Sequence, residues 1–247
     1  MWPGSPGRAC DDGRVIEVRE GGRRARTEAE GRTTLHSFSF GAHYDPTNTG
    51  FSSLVAHNDE RLPPGTGYAD HPHADLEVVS WVLTGSLRHA STVGSATLAA
   101  GDVQRLSAGS GVVHAETAAG AGTTRFVQAW VRPDESGLVP SYVREPVVLG
   151  GPDAGWTCVA DGDGGGVVPI AARGTSLHVA DLADGVRLEL PDRPRLHAMV
   201  VAGPGDGAMV GERRLVDGDV ARLLDEGGRT VTGVGRAQLV VWSFERA

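Results

Sequence analysis

The chain has 247 residues and a net charge of −8, from 31 acidic and 23 basic side chains, and 40% of it is hydrophobic. That length suits one large β domain or two of about 100–125 residues, and the apolar content excludes disorder over the chain as a whole. An acidic chain without a basic stripe cannot neutralise nucleic-acid phosphates, no run of about 18 apolar residues offers a membrane span, and the two cysteines, Cys10 and Cys158, make no disulfide framework.

The first 14 residues, MWPGSPGRACDDGR, lack the apolar stretch of a secretory leader, so the cytoplasm is the expected compartment. Residues 1–30 read as an extension with one short strand at 15–18. Alternation begins at LHSFSF, a strand signal. GAHYDPTNTG is a loop, FSSLVAH a second strand, and NDERLPPGTG a turn-rich stretch. DLEVVSWVL is a long strand closed by Thr84-Gly85. SLRHAST, SATL, DVQRLS and TRFVQAWV follow as strands separated by glycines. PDESGLVPSYV is the one place with room for a turn of helix. The second half repeats the style, with TSLHVADL, VRLEL, RLHAMVVA, DGAMVGERRLV, DVARLL, RTVTGV and AQLVVWSF all reading as strands. Short strands at this spacing, with 36 glycines and 14 prolines between them, mean a sandwich or a barrel.

GERRLVDGDVARL echoes GSATLAAGDVQRL: in both, a short strand enters a Gly-Asp turn and leaves as another strand. The echo predicts two similar β-barrel domains, joined between Pro133 and Pro152. We expect an extension over 1–30, a metal-binding domain over 31–140 and a second domain over 141–247.

The chemistry concentrates in two short motifs. His71 and His73 are two apart, so on an extended strand both imidazoles share a face. His114 and Glu116 repeat the spacing in GVVHAE. A lone His-x-His on a strand is more often an accident than a ligand pair, but two such pairs on neighbouring barrel strands place three nitrogens and one oxygen around a point. That donor set suits one divalent transition metal, Fe(II), Ni(II), Cu(II), Mn(II) or Zn(II), and leaves coordination positions open for substrate. His36, His43 and His57 are expected to pack or face solvent, His89 to be exposed, and His178 and His197 lie where no such pair exists. Phe38, Phe40, Phe126 and Trp130 are expected in the core or in a pocket wall, the core being the better expectation for each. Gln128 sits between Phe126 and Trp130 at strand period. If they point inward so does it, and a buried amide then needs a partner, such as a metal-bound water or a substrate.

The order of Gly65, His71, His73, Gly85 and then Gly101, SAGSG and His114 resembles the cupin motifs, and DHPHADLE with SAGSGVVHAE resembles the pirin branch more closely. HSFSFG, YDP and QAWV add to that likeness, which is good over about residues 33–145 and weak beyond. The spacings of Glu77 after His73 and of His114 after Gly109 depart from the general cupin pattern, and pirin-type proteins share both departures. The resemblance implies an all-β fold of two cupin-type barrels (jelly-roll, or double-stranded β-helix) in one chain, the second degenerate. It implies that the carboxylate ligand is Glu116, with Glu77 in a supporting position, and that Fe(II) is the first expectation, with Ni, Cu, Mn or Zn as alternatives. It further implies a quercetin 2,3-dioxygenase-like activity on a flavonol or related enolic aromatic with dioxygen, Glu116 serving as general base. The competing implication is a non-enzymatic, redox-sensing regulator that binds a protein partner. A cupin isomerase or sugar-binding module ranks below both.

Overall fold

A computed structural model of the chain describes residues 14–245; Cys10 lies outside them. Among the described residues there is no α-helix, only a short 3-10 turn at Gly21–Arg23, and the rest of the regular structure is strand. In chain order the strands are β1 (Val15–Arg19), β2 (Ala25–Ala29), β3 (Arg32–His36), β4 (Leu54–Leu62), β5 (Gly67–His73), β6 (Glu77–Thr84), β7 (Ser86–Ser91), β8 (Gly94–Ala99), β9 (Asp102–Ser107), β10 (Val112–Ala118) and β11 (Thr124–Val131). They continue with β12 (Ser141–Pro146), β13 (Thr157–Asp161), β14 (Val168–Pro169), β15 (Thr175–Leu182), β16 (Arg187–Glu189), β17 (Arg195–Ala202), β18 (Gly207–Val210), β19 (Arg213–Leu215), β20 (Val220–Leu224), β21 (Thr230–Val234) and β22 (Ala237–Phe244).

The chain divides into two compact units. One comprises Arg24–Leu149 and Cys158–Ser176; the other comprises Gly150–Thr157 and the chain from Leu177 onward, with the N-terminal segment through Arg23. In the first unit a seven-stranded sheet runs in the order β12-β9-β6-β11-β4-β3-β2, and a four-stranded sheet in the order β5-β10-β7-β8. Leu62, Val82, Leu87, Leu98, Ala118 and Phe126 form one buried apolar cluster of this unit, and Val78, Leu106, Ala108 and Val112 a second. Each of the valine, leucine and phenylalanine side chains among them contributes about 1.5–3 kcal/mol by leaving water.

The second unit repeats the plan. Its larger sheet runs β1-β20-β17-β22-β15 and its smaller one β16-β21-β18-β19. The sequence echo has a structural counterpart in the Gly-Asp turns. Gly101 and Gly218 both adopt positive φ, +86° and +80°. Asp102 Oδ2 accepts from Ala99 N at 2.7 Å, and Asp219 Oδ2 accepts from Val216 N at 2.9 Å. Each turn is a side-chain-capped loop that sets the register of the strand after it.

Several expectations change. Among the described residues up to residue 30 there are two strands rather than one, because residues 25–29 pair with β3. Strand β3 ends at His36, so the alternation of HSFSF outlasts the strand; beyond it only Phe40 and His43 form an isolated bridge. NDERL is not turn but the second half of β4. Its acidic side chains stay buried because partners meet them: Asp59 takes both arms of Arg125, at 2.9 and 2.8 Å, and Glu60 accepts from Thr34 and Tyr68. The PSYV segment is no helix but the start of β12, which pairs antiparallel with β9.

Candidate metal centre

Strands β5 and β10 pair antiparallel with His71 directly opposite His114, and His73 opposite Val112. The ladder then slips: Glu116 faces Tyr68, so three steps along β5 match two along β10. The extra residue is a β-bulge, which re-aims the side chains beside it. His71 Nδ1 bonds the carbonyl oxygen of Ala69, inside the bulge, at 2.8 Å, which leaves Nε2 as the nitrogen able to ligate a cation. Gly67 is needed at the foot of the same ladder, because a Cβ there would lie 2.0 Å from the carbonyl oxygen of Glu116.

The three imidazoles converge. Ring centroids are 4.3 Å apart for His71 and His114, 4.9 Å for His71 and His73, and 5.0 Å for His73 and His114. One ligand atom from each lies within 4.8 Å of the others. His73 Nε2 and both ring nitrogens of His114 are buried without a hydrogen-bond partner. Buried donors and acceptors are normally satisfied, and a cation is the partner that fits one nitrogen from each of three converging imidazoles, two of them with bare nitrogens. Burial holds His73 and His114 down to about 4, so both are neutral near pH 7, the form that ligates a metal.

Glu116 lies deeper, fully buried, and forms a second overlapping group with His114 and His89. Its Oε1 accepts from Gln104 Nε2 at 2.7 Å and its Oε2 from Gln128 Nε2 at 2.8 Å. Burial pushes this carboxyl up, but His89, His114 and the Gln128 amide outweigh it and hold the group down to about 2, as an anion. Gln128 therefore does point inward, and its partner is the Glu116 carboxylate. Glu77 lies elsewhere, accepting from Ser107 Oγ at 2.5 Å with Arg105 Nε at 3.7 Å.

His89, expected to be exposed, is fully buried. It stacks on Tyr142 with centroids 4.4 Å apart, and its Nδ1 stands 3.8 Å from Glu116 Oε1. The signal for this was present in the strand period: His89 is two residues from Leu87 and shares its inward face. Gln104, Ser80 and Tyr142 carry no such signal: β9 and most of β6 are buried on both faces, and β12 is half-buried to exposed without alternation. Phe38 and Phe126 are core as expected, whereas Phe40 and Trp130 are half-buried and wall the site. Trp130 meets His73 edge-on at 4.8 Å and Phe40 at 5.1 Å. His36 is buried between Thr27 and Asn58 and joins no metal group. Beside His73 opens a largely apolar cleft of about 550 Å³, lined by Pro72, Ala74, Thr92, Gly111, Val112 and Val113.

The second unit carries the same strands without the chemistry. Matching the Gly-Asp turns and the registers places Leu188, Leu190 and Val231 where His71, His73 and His114 stand, and Gly233 at Glu116. Ala221 and Val241 replace Gln104 and Gln128. Leu190, Val231, Ala221 and Val241 belong to one buried apolar cluster, against which Leu188 packs. The second barrel fills with hydrocarbon the space that the first fills with imidazole and amide.

The pirin family profile matches residues 19–131. A Pirin-like protein of Caulobacter vibrioides is 33% identical over 210 residues, covering 83% of this chain and 89% of that one. The chain belongs to the pirin family. A Mycobacterium tuberculosis relative of this pirin is 37% identical over 234 residues, covering 93% of this chain and 95% of its own, and is provisionally named a quercetin 2,3-dioxygenase. Among solved structures, a bacterial pirin from Escherichia coli in complex with nickel(II) superposes with a TM-score of 0.84 at 24% identity, covering 94% of this chain and 100% of that one. That likeness supports the two-barrel fold.

Proposed function

We propose that this pirin is a metal-dependent dioxygenase acting on a quercetin-like flavonol or a related enolic aromatic. His71, His73, His114 and Glu116 would hold one divalent transition metal, with Fe(II) the first candidate and Ni, Cu, Mn and Zn the alternatives. The observation that carries this reading is the convergence of three imidazoles, two of them with bare buried nitrogens, next to an ionised carboxylate and with an apolar cleft opening beside His73. The relatives named for quercetin dioxygenase activity supply the substrate class.

A bound metal would supply a Lewis-acidic point for the substrate oxygen and for dioxygen. The remaining work falls to the chain. The open, largely apolar cleft of Pro72, Ala74, Val112 and Val113 offers a surface for a flat apolar ring, and Gly111 leaves its rim uncrowded. Each oxygen of Glu116 accepts one amide hydrogen and keeps a further lone pair, so the carboxylate can accept the flavonol hydroxyl proton while still held. In the overall reaction one dioxygen is consumed and the central ring opens with loss of one carbon monoxide.

The test is aerobic turnover. Protein freed of metal and reloaded separately with Fe, Ni, Cu, Mn or Zn is mixed with quercetin, and the flavonol absorbance is followed. We expect loss of absorbance with at least one metal, abolished in His71→Ala and Glu116→Ala. No loss with any of the five metals sinks the enzymatic reading.

A further inference from the structure

We infer that Gln104 and Gln128 are positioning residues that clamp the Glu116 carboxylate toward the metal, their amides oriented by Tyr142 and Trp130. The inference rests on the metal reading above.

A primary amide has two faces of opposite character, an oxygen that accepts and a nitrogen that donates. Turned the wrong way beside a carboxylate, it sets oxygen against oxygen. The structure removes that ambiguity at both glutamines. Trp130 Nε1 can only donate, and it donates to Gln128 Oε1 at 3.2 Å. Tyr142 Oη donates to Gln104 Oε1 at 3.1 Å, and burial pushes this phenol up, so it keeps its proton. With each amide oxygen engaged, each Nε2 turns to the other side and serves two acceptors. One is an oxygen of Glu116, at 2.7 Å from Gln104 and 2.8 Å from Gln128. The other is Ser80 Oγ, at 3.2 Å from both. The carboxylate is gripped from two sides by donors on β9 and β11, while the strand that carries it, β10, belongs to the other sheet.

Two consequences follow. Both Glu116 oxygens act as acceptors in this circuit, which favours the carboxylate over the acid. The carboxylate plane is also set by the seven-stranded sheet rather than by rotation about the side chain of Glu116. Hydrogen-bond partners behind a metal ligand govern its orientation and basicity, and their loss typically weakens metal affinity by about 10- to 100-fold. Trp130 adds a second connection, because the same ring touches His73. The mouth of the site and the carboxylate at its floor are thus joined through one indole.

The experiment titrates metal-free protein with Co(II), reading both the dissociation constant and the visible ligand-field spectrum. Gln104→Met and Gln128→Met keep the volume and remove the amide. We expect each to weaken Co(II) binding about tenfold or more and to shift the spectrum, with the melting temperature of the metal-free protein little changed. Trp130→Phe and Tyr142→Phe retain the amide and remove its orienting donor. They should shift the spectrum in the same direction with a smaller loss of affinity. Unchanged affinity and spectrum in the folded methionine variants overturn the clamp; if those variants do not fold, an unchanged spectrum in the two phenylalanine variants overturns it. Wild-type protein that takes up no Co(II), Fe(II) or Ni(II) instead defeats the metal reading itself.

Discussion

At the scale of single residues, the first unit places ionisable groups where burial governs their proton affinity. Glu60 is 2% exposed, and burial pushes its carboxyl up to about 7 from an ordinary 4.5, against the pull of the Thr34 and Tyr68 hydroxyls. The folded protein therefore keeps a proton that the unfolded chain releases above pH 4.5. Stability from this group is fully present below 4.5 and is lost as pH rises through about 7. The full effect is on the order of 3 kcal/mol for a shift of this size. His73 and His114, held down, act in the opposite sense over the acid side of the same range. A comparison of wild type with Glu60→Gln cancels the histidines. Wild type should lose melting temperature relative to the variant between pH 5 and 8; parallel curves across that range would show that Glu60 does not titrate there.

At the scale of elements, the site depends on how closely two strands approach. β5 and β10 meet at Gly67, where an added Cβ would strike the Glu116 carbonyl at 2.0 Å, and the bulge that aims His71 lies just beyond. Gly67→Ala forces the strands apart at the point from which both metal-binding motifs take their register. Overpacking of this kind costs about 1–3 kcal/mol. We expect Gly67→Ala to lower the melting temperature by a matching amount and to reduce metal stoichiometry in the same preparation. Full metal occupancy in the variant would mean that the ladder absorbs the clash elsewhere.

At the scale of the molecule, two barrels of like topology divide the labour unequally. One carries the His71, His73, His114 and Glu116 cluster, and the other packs Leu190 and Val231 at the matching positions. A metal bound at a hundredfold excess over its dissociation constant stabilises its host by about 2.7 kcal/mol. Chelation should therefore speed backbone hydrogen exchange in β5 and β10 and leave β16 and β21 unchanged. Equal loss of protection in both units would show that they open as one cooperative body, and no change in β5 and β10 would argue against a metal there.

The two paired motifs were legible in the sequence because sharing one face of a strand is a local matter. Spacing of two puts His71 with His73, and His114 with Glu116, on common faces whatever the rest of the chain does. The Gly-Asp echo was legible for the same reason, since a capped turn is written within a few residues. Which strands lie side by side is not local. Polarity suggests exposure at His89 and a turn at NDERL, whereas both strands are covered by neighbours, and in NDERL those neighbours also satisfy the acidic side chains. The clamp on Glu116 draws Gln104 from β9, Gln128 from β11 and Tyr142 from β12. The sequence alone determined the ligand-bearing motifs and the doubled β architecture. Tertiary structure decided which buried amides and rings surround the ligands, because only sheet pairing brings together groups that chain separation keeps apart.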